Sequence, residues 1–251
     1  MKEAIKGAIL IYSCHKHKET RLQEFKLPQK EYDGWKVFYI LGDPRIDKSF
    51  ITDDTILLKC EDSYIHVAKK VVMGIKFIYE NYDVEEGILR CGDDLIFNET
   101  HLVSFLKMKN KLDYMGSESN NKDRIVVEQS YFMPSYYLSH QEDLQNPLHR
   151  IPYSIAQLAQ FNKIPVMTYA GGVVVYLSNK SCAVLIDHFE KIKWDVFHLD
   201  NTYGYPYIIE DIAVGYILYI NHIFLHNVPF YVLHVNQATN MTLAIHTNKY
   251  K

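Results

Sequence analysis

Continuous apolar runs of strand length, set apart by polar loops, constrain this chain most. Ala8–Ser13 (AILIYS), Lys36–Leu41 (KVFYIL) and Thr55–Cys60 (TILLKC) are such runs, and Gly87–Cys91 (GILRC) is a fourth. A run without polar alternation suits a strand covered on both faces, which is the situation of a buried parallel sheet. Between the third and fourth runs, Val67, Val71, Ile75, Ile78 and Tyr82 recur at spacings of three and four, with Asp62 or Ser63 available to cap the helix they predict. A charged segment, Glu19 to Lys26, follows the first run, and Gly42-Asp43-Pro44 closes the second. A shorter helix is expected over Glu99 to Lys109, with Leu102, Phe105 and Leu106 inward. Strands alternating with helices imply right-handed βαβ units. The expected fold is α/β, a Rossmann-like mixed, mainly parallel sheet flanked by helices.

The second half is less regular. It holds Arg124–Met133 (RIVVEQSYFM), a Gly171-Gly172 turn leading into Val173–Ser178 (VVVYLS), and an apolar region from Ile208 to Leu233. With 251 residues, 48% of them hydrophobic, and no repeat or linker, the chain is expected to form one domain over 1–251. Such a length buries roughly 70–75% of the unfolded surface, so a core needs no disulfide or structural metal. A net charge of −3 argues against binding nucleic acid through bulk charge. Cys14, Cys60, Cys91 and Cys182 lie far apart, which favours reduced thiols. No stretch reaches the ~18 apolar residues of a membrane span. His15–Lys18 follows the first apolar run where a signal peptide would place small residues. These features predict a soluble, cytoplasmic protein.

Chemistry concentrates in three segments. Gly92-Asp93-Asp94 ends the fourth strand, where open α/β sheets bind ligands. Adjacent carboxylates repel, and a divalent cation relieves them; a solvated turn is the plainer alternative. Glu210-Asp211 lies between apolar runs, either as a functional acid pair or as the first turn of a helix, where carboxylates complement the dipole. Gly171-Gly172 either lets backbone approach a ligand or makes a turn.

Taken in order, these pieces resemble the β-1,3-galactosyltransferase and fringe-like enzymes of glycosyltransferase family 31. Asp62-Ser63-Tyr64, with Lys69, Met73-Gly74 and Lys76 after it, resembles the helix pattern D-S-Y-x-N-L-T-x-K. Gly87–Asn98 resembles the family's metal-binding strand and loop, Pro165–Ser178 its Y-P-x-Y-x-x-G-x-G-Y segment, and Glu210–Gly215 its E-D-V-x-x-G. The similarity spans about Ile9 to Gly215. Three positions depart from it: Gly92 stands where the loop usually has a first acid, His66 to Ala68 replace Asn and Thr, and Val173 replaces a glycine.

The resemblance implies a GT-A fold and inverting, metal-dependent transfer of a sugar from a nucleotide donor, UDP by expectation, to a hydroxyl of a glycan or glycoprotein. It implies Asp94 as ligand to Mn²⁺ or Mg²⁺, Asp93 as holding nucleotide and metal-bound water, and Asp211 as base with Glu210 beside it. Ser13, Arg21, Lys69, Gly171 and Gly172 then line the donor. A late histidine, His246 or His234, completes the metal site, and Lys249 is near enough to His246 to meet a diphosphate. Arg21 offers a two-pronged phosphate clamp or is simply an exposed helix residue. Tyr203, Tyr205 and Tyr207 offer faces for an acceptor sugar or pack the core. Two other readings compete: a GT-A remnant that binds without turnover, and a two-metal nucleotidyl-transfer enzyme built on Gly92-Asp93-Asp94, which the small size and acidic charge disfavour.

Overall fold

The computed structural model describes residues 2–24, 27–119, 132–151 and 167–247. Strands are β1 (Glu3–Tyr12), β2 (Glu31–Tyr32), β3 (Trp35–Gly42), β4 (Phe50–Thr52), β5 (Thr55–Leu58), β6 (Tyr82–Gly92), β7 (Leu95–Phe97), β8 (Tyr114–Glu118), β9 (Ala170–Ser178), β10 (His226–Asn227), β11 (Tyr231–Val232) and β12 (Ala244–His246). Helices are α1 (Arg21–Glu24), α2 (Val67–Asn81), α3 (Glu99–Leu106), α4 (Phe132–Ser139), α5 (Gln141–Gln145), α6 (Asn179–Lys191) and α7 (Glu210–Ile220). The chain is mixed α/β, with a large mixed sheet flanked by helices.

The large sheet runs in the order β10-β8-β9-β6-β1-β3-β5-β4, with β2 beside β3. The uninterrupted apolar runs occupy its centre. Successive β1 residues alternate between two apolar layers, Ala8 and Leu10 into one and Ile9 and Ile11 into the other. The first layer is covered by α2, α6 and α7 through residues such as Val71, Ile75, Leu185 and Ile217. The second is covered by α3 and the C-terminal segment through Leu102, Phe105, Phe230 and Leu243. Ser63 starts the helical segment as foreseen, its Oγ accepting from the His66 N–H at the head of a 3₁₀ turn, Tyr64–His66, that leads into α2.

Four details differ from the sequence reading. The heart of the sheet, β6-β1-β3-β5, is parallel, as is the edge pair β8–β10; β9 runs antiparallel to β6 and β8, β4 antiparallel to β5, and β2 antiparallel to β3. A strand covered on both faces has the same composition whichever way its neighbour runs, so direction is set by the connections. Gly171 and Gly172 lie within β9 and do not form a turn. Tyr82 is the first residue of β6, and α3 ends at Leu106. The Arg124–Met133 segment lies largely outside the described residues. No described helix is long and apolar enough to cross a membrane. All four cysteines are free thiols.

Candidate active site

A cleft of about 710 Å³ opens at the carboxyl ends of β1 and β6. Its wall joins the end of β1 (Ser13 to Lys16), Arg21, the end of β6 (Arg90 to Asp94), the start of β9 (Gly172, Val173), the first turn of α7 (Glu210, Asp211) and His246 from β12. The antiparallel β6–β9 pair explains one half of this convergence. Cys91 is in register with Val174, so β9 begins where β6 ends and Gly172 comes beside the acidic loop. The small sheet explains the other half, because β12 pairs antiparallel with β7 and sets His246 opposite Leu95.

Asp93 and Asp94 are held at one end. The Ser13 hydroxyl donates to Asp93 Oδ2 at 2.6 Å. The Nε2 of His246 donates to Asp94 Oδ2 at 3.0 Å, and the Thr247 N–H and hydroxyl donate to the Asp94 carbonyl, each at 3.0 Å. One guanidinium nitrogen of Arg21 stands 3.8 Å from a carboxylate oxygen of each aspartate. Burial pushes the Asp94 carboxyl upward, but the His246 hydrogen bond and the charges of His246 and Arg21 outweigh it and hold the group below its usual range. At position 92 an added Cβ would stand 3.0 Å from Asp94 Oδ1, so the glycine leaves this carboxylate its room.

Glu210 and Asp211 meet the cleft from the other side. Nη2 of Arg90 donates to Glu210 Oε2 at 3.2 Å. Burial raises the Glu210 carboxyl to about 7, with Arg90 opposing the rise and Asp211 adding to it. Burial also raises Asp211, whose Oδ1 accepts from the Ile212 N–H at 2.9 Å. Gly172 leaves room here: a Cβ at that position would oblige the Glu210 carboxylate to shift. The pair forms the first turn of α7, the helix-start reading of the sequence, and both residues line the cleft.

A third polar group ties the cleft floor together. Asp62, fully buried at its side chain, accepts from Lys70 Nζ at 2.8 Å, from the His15 N–H at 2.7 Å and from the Gly42 N–H at 3.3 Å, and its Oδ2 lies 2.9 Å from His15 Nδ1. Lys70 Nζ also donates to the Ser13 carbonyl at 2.6 Å. Lys69 instead turns away to Glu61, 2.7 Å distant, and does not line the cleft. Helical rotation of 100° per residue separates the two neighbours. The signal was present in the sequence, since the lysine of D-S-Y-x-N-L-T-x-K counted from Asp62 falls on Lys70.

Other expected residues divide. Ser13, Arg21, Asp93, Asp94, Gly172, Glu210, Asp211 and His246 share the cleft. His234 is exposed at the start of the 3₁₀ turn Val235–Gln237 and does not line it. Gly171 faces the Tyr231 hydroxyl, 2.9 Å from where its Cβ would stand. Lys249 lies outside the described residues. Tyr203 and Tyr207 pack against Tyr216 and are not at the cleft. The tyrosines that line the cleft are Tyr12, Tyr64 and Tyr136; the last two stack at 5.3 Å, with His140 stacked on Tyr136 at 4.4 Å. Neither the Tyr64 stack nor Arg90 was singled out from the sequence. A charged residue inside the apolar run Gly87–Cys91 was the available sign for Arg90.

Among the described residues no group of three or more His, Cys, Asp or Glu side chains converges on one metal position. Asp94 and His246 present one carboxylate and one imidazole side by side. Together they offer two ligand atoms to a divalent cation, the carboxylate oxygen suited to Mg²⁺ or Mn²⁺ and the imidazole nitrogen to softer ions, with the remaining positions left to ligand oxygens. No protein-family model matches the chain, and no curated protein matches it.

Proposed function

We propose that this chain is a GT-A-type, metal-dependent inverting glycosyltransferase that moves a sugar from a nucleotide donor, UDP in the first instance, to a hydroxyl of a glycan. The observation that carries the reading is the meeting, in one cleft, of an acid–histidine–arginine end suited to a diphosphate and an acid end raised in proton affinity. Arg21 offers the guanidinium for the phosphate oxygens. Asp93, fixed by Ser13, orients the donor end. Asp94 and His246 would hold Mn²⁺ or Mg²⁺, which when bound supplies positive charge for the departing diphosphate.

Asp211 accepts the acceptor's proton. Its partner Glu210 is engaged by Arg90, whereas Asp211 takes one backbone hydrogen bond and keeps lone pairs for a hydroxyl. In the transfer, the bond from the anomeric carbon to the diphosphate oxygen breaks with its electron pair on the nucleotide. The acceptor oxygen bonds to the same carbon from the opposite face, and its proton passes to Asp211. A carboxylate raised by burial is a stronger base than an ordinary one. Four free thiols agree with a reducing, cytoplasmic setting.

The deciding assay incubates the protein with UDP-, GDP- and dTDP-sugars, with Mn²⁺ and with chelator, and reads nucleotide release and sugar transfer. Mn²⁺-dependent release lost in Asp211→Asn only when acceptor is required supports the reading. Binding of nucleotide sugar with no release under any condition overturns it. That outcome favours a second reading, a non-catalytic binder, which the glycine at 92 and the two-donor metal site also favour.

A further inference from the structure

Arg90 is the least expected charge in the molecule. It lies in β6 between Leu10 of β1 and Val175 of β9, in register with both, and all three project into the same apolar layer. Its side chain is 8% exposed. A guanidinium so placed is costly unless paired. Its hydrogen-bonded partner is Glu210; Nε and Nη1 make no hydrogen bond among the described residues. The Tyr12 ring lies beneath the guanidinium, 5.7 Å from its carbon, and Gly172 opens the space through which Glu210 reaches it.

We propose that Arg90 is the positioning residue of the acid pair: it holds Glu210 by a hydrogen bond, fixes the first turn of α7 against β6 and β9, and so presents Asp211 to the cleft as the working carboxylate. This rests on the proposed function. Charge counting supports it. Two partly buried acids share one buried cation, and its hydrogen bond goes to Glu210, which leaves Asp211 without a cationic partner of its own. The remaining titratable groups facing the pair are the phenols of Tyr12, Tyr64, Tyr114 and Tyr231, all raised by burial, so none changes charge near neutral pH. The pair is also the attachment of α7 at its N-terminal end, where Ile209 as N-cap supplies no side-chain hydrogen bond.

Carboxyl-detected NMR titration of Glu210 and Asp211 in the wild type, Arg90→Lys and Arg90→Met tests the proposal, together with the pH profile of transfer. Arg90→Met is expected to raise the Glu210 midpoint by about 1–3 pH units, the usual effect of losing an adjacent opposite charge. The acid side of the transfer profile, where the working carboxylate must lose its proton, should move upward with it, while the donor KM stays within about twofold, since Arg90 lies at the acid pair and not at the diphosphate end. Arg90→Lys should restore most of the titration shift. If Arg90→Met fails to fold, Arg90→Met/Glu210→Gln, which removes both charges, should fold better than the single variant. Unchanged midpoints in both single variants, or a double variant no better folded than Arg90→Met, overturn the clamp. A midpoint shift in a protein that transfers no sugar supports the clamp and overturns the glycosyltransferase reading.

Discussion

The cleft carries two acidic pairs adjacent in sequence, Asp93-Asp94 and Glu210-Asp211, and they are opposites. At the β6 end, His246 and Arg21 bring cationic or hydrogen-bond-donating groups to Asp94 and hold it in its charged form despite burial. At the α7 end, one guanidinium serves two acids, and burial drives both carboxyls upward. Identical chemistry has been tuned in opposite directions by the number of donors within reach. A low carboxylate suits holding cations and orienting a charged donor, whereas a raised one suits proton transfer. Environments that separate the proton affinities of like groups assign their roles.

The contrast can be broken experimentally. The largest expected effect is at the raised pair: Asp211→Asn keeps shape and hydrogen bonding but takes no proton, so transfer should fall roughly 10²–10⁴-fold. Nucleotide affinity, read by calorimetry, should hardly change, and equal loss of both would merge the two pairs into one structural unit. At the β6 end, Asp94→Ala should cost at least about 10–100-fold in Mn²⁺-dependent nucleotide affinity, the scale on which metal sites respond even to outer partners. His246→Ala should follow it and His234→Ala should not. An equal loss in His234→Ala would remove His246 from its role.

A smaller effect separates the pairs through stability. Glu210 in the folded protein binds its proton more tightly than in the unfolded chain, so between its ordinary value of 4.5 and about 7 the native state holds more protons. Stability must therefore fall as pH rises through that window, by roughly 3 kcal/mol at most. Denaturant melts of Glu210→Gln should lack this slope. Asp94 has the opposite sign: its contribution is present above the ordinary carboxylate value and disappears as pH falls through its lowered folded value. The smallest expected effect is that of Lys69→Met, which should leave nucleotide binding within about twofold because its ammonium is turned to Glu61. A larger loss would return Lys69 to the donor site.

By itself the sequence determined the strands and their burial, because uninterrupted apolar runs such as Ala8–Ser13 and Lys36–Leu41 have few other uses. It also placed Gly92-Asp93-Asp94 at the end of a buried strand and offered the first turn of a helix as one of two readings of Glu210-Asp211, the position the pair takes in α7. What it left open were choices made at long range. His246 and not His234 meets Asp94 because β12 pairs with β7, a register set across more than a hundred residues of chain. Whether Glu210 is paired depended on Arg90 lying on the same side of β6 as α7 and on Gly172 leaving a gap between them. Tertiary structure alone decided these, because the field at a carboxylate is summed over groups brought close in space, whatever their distance along the chain.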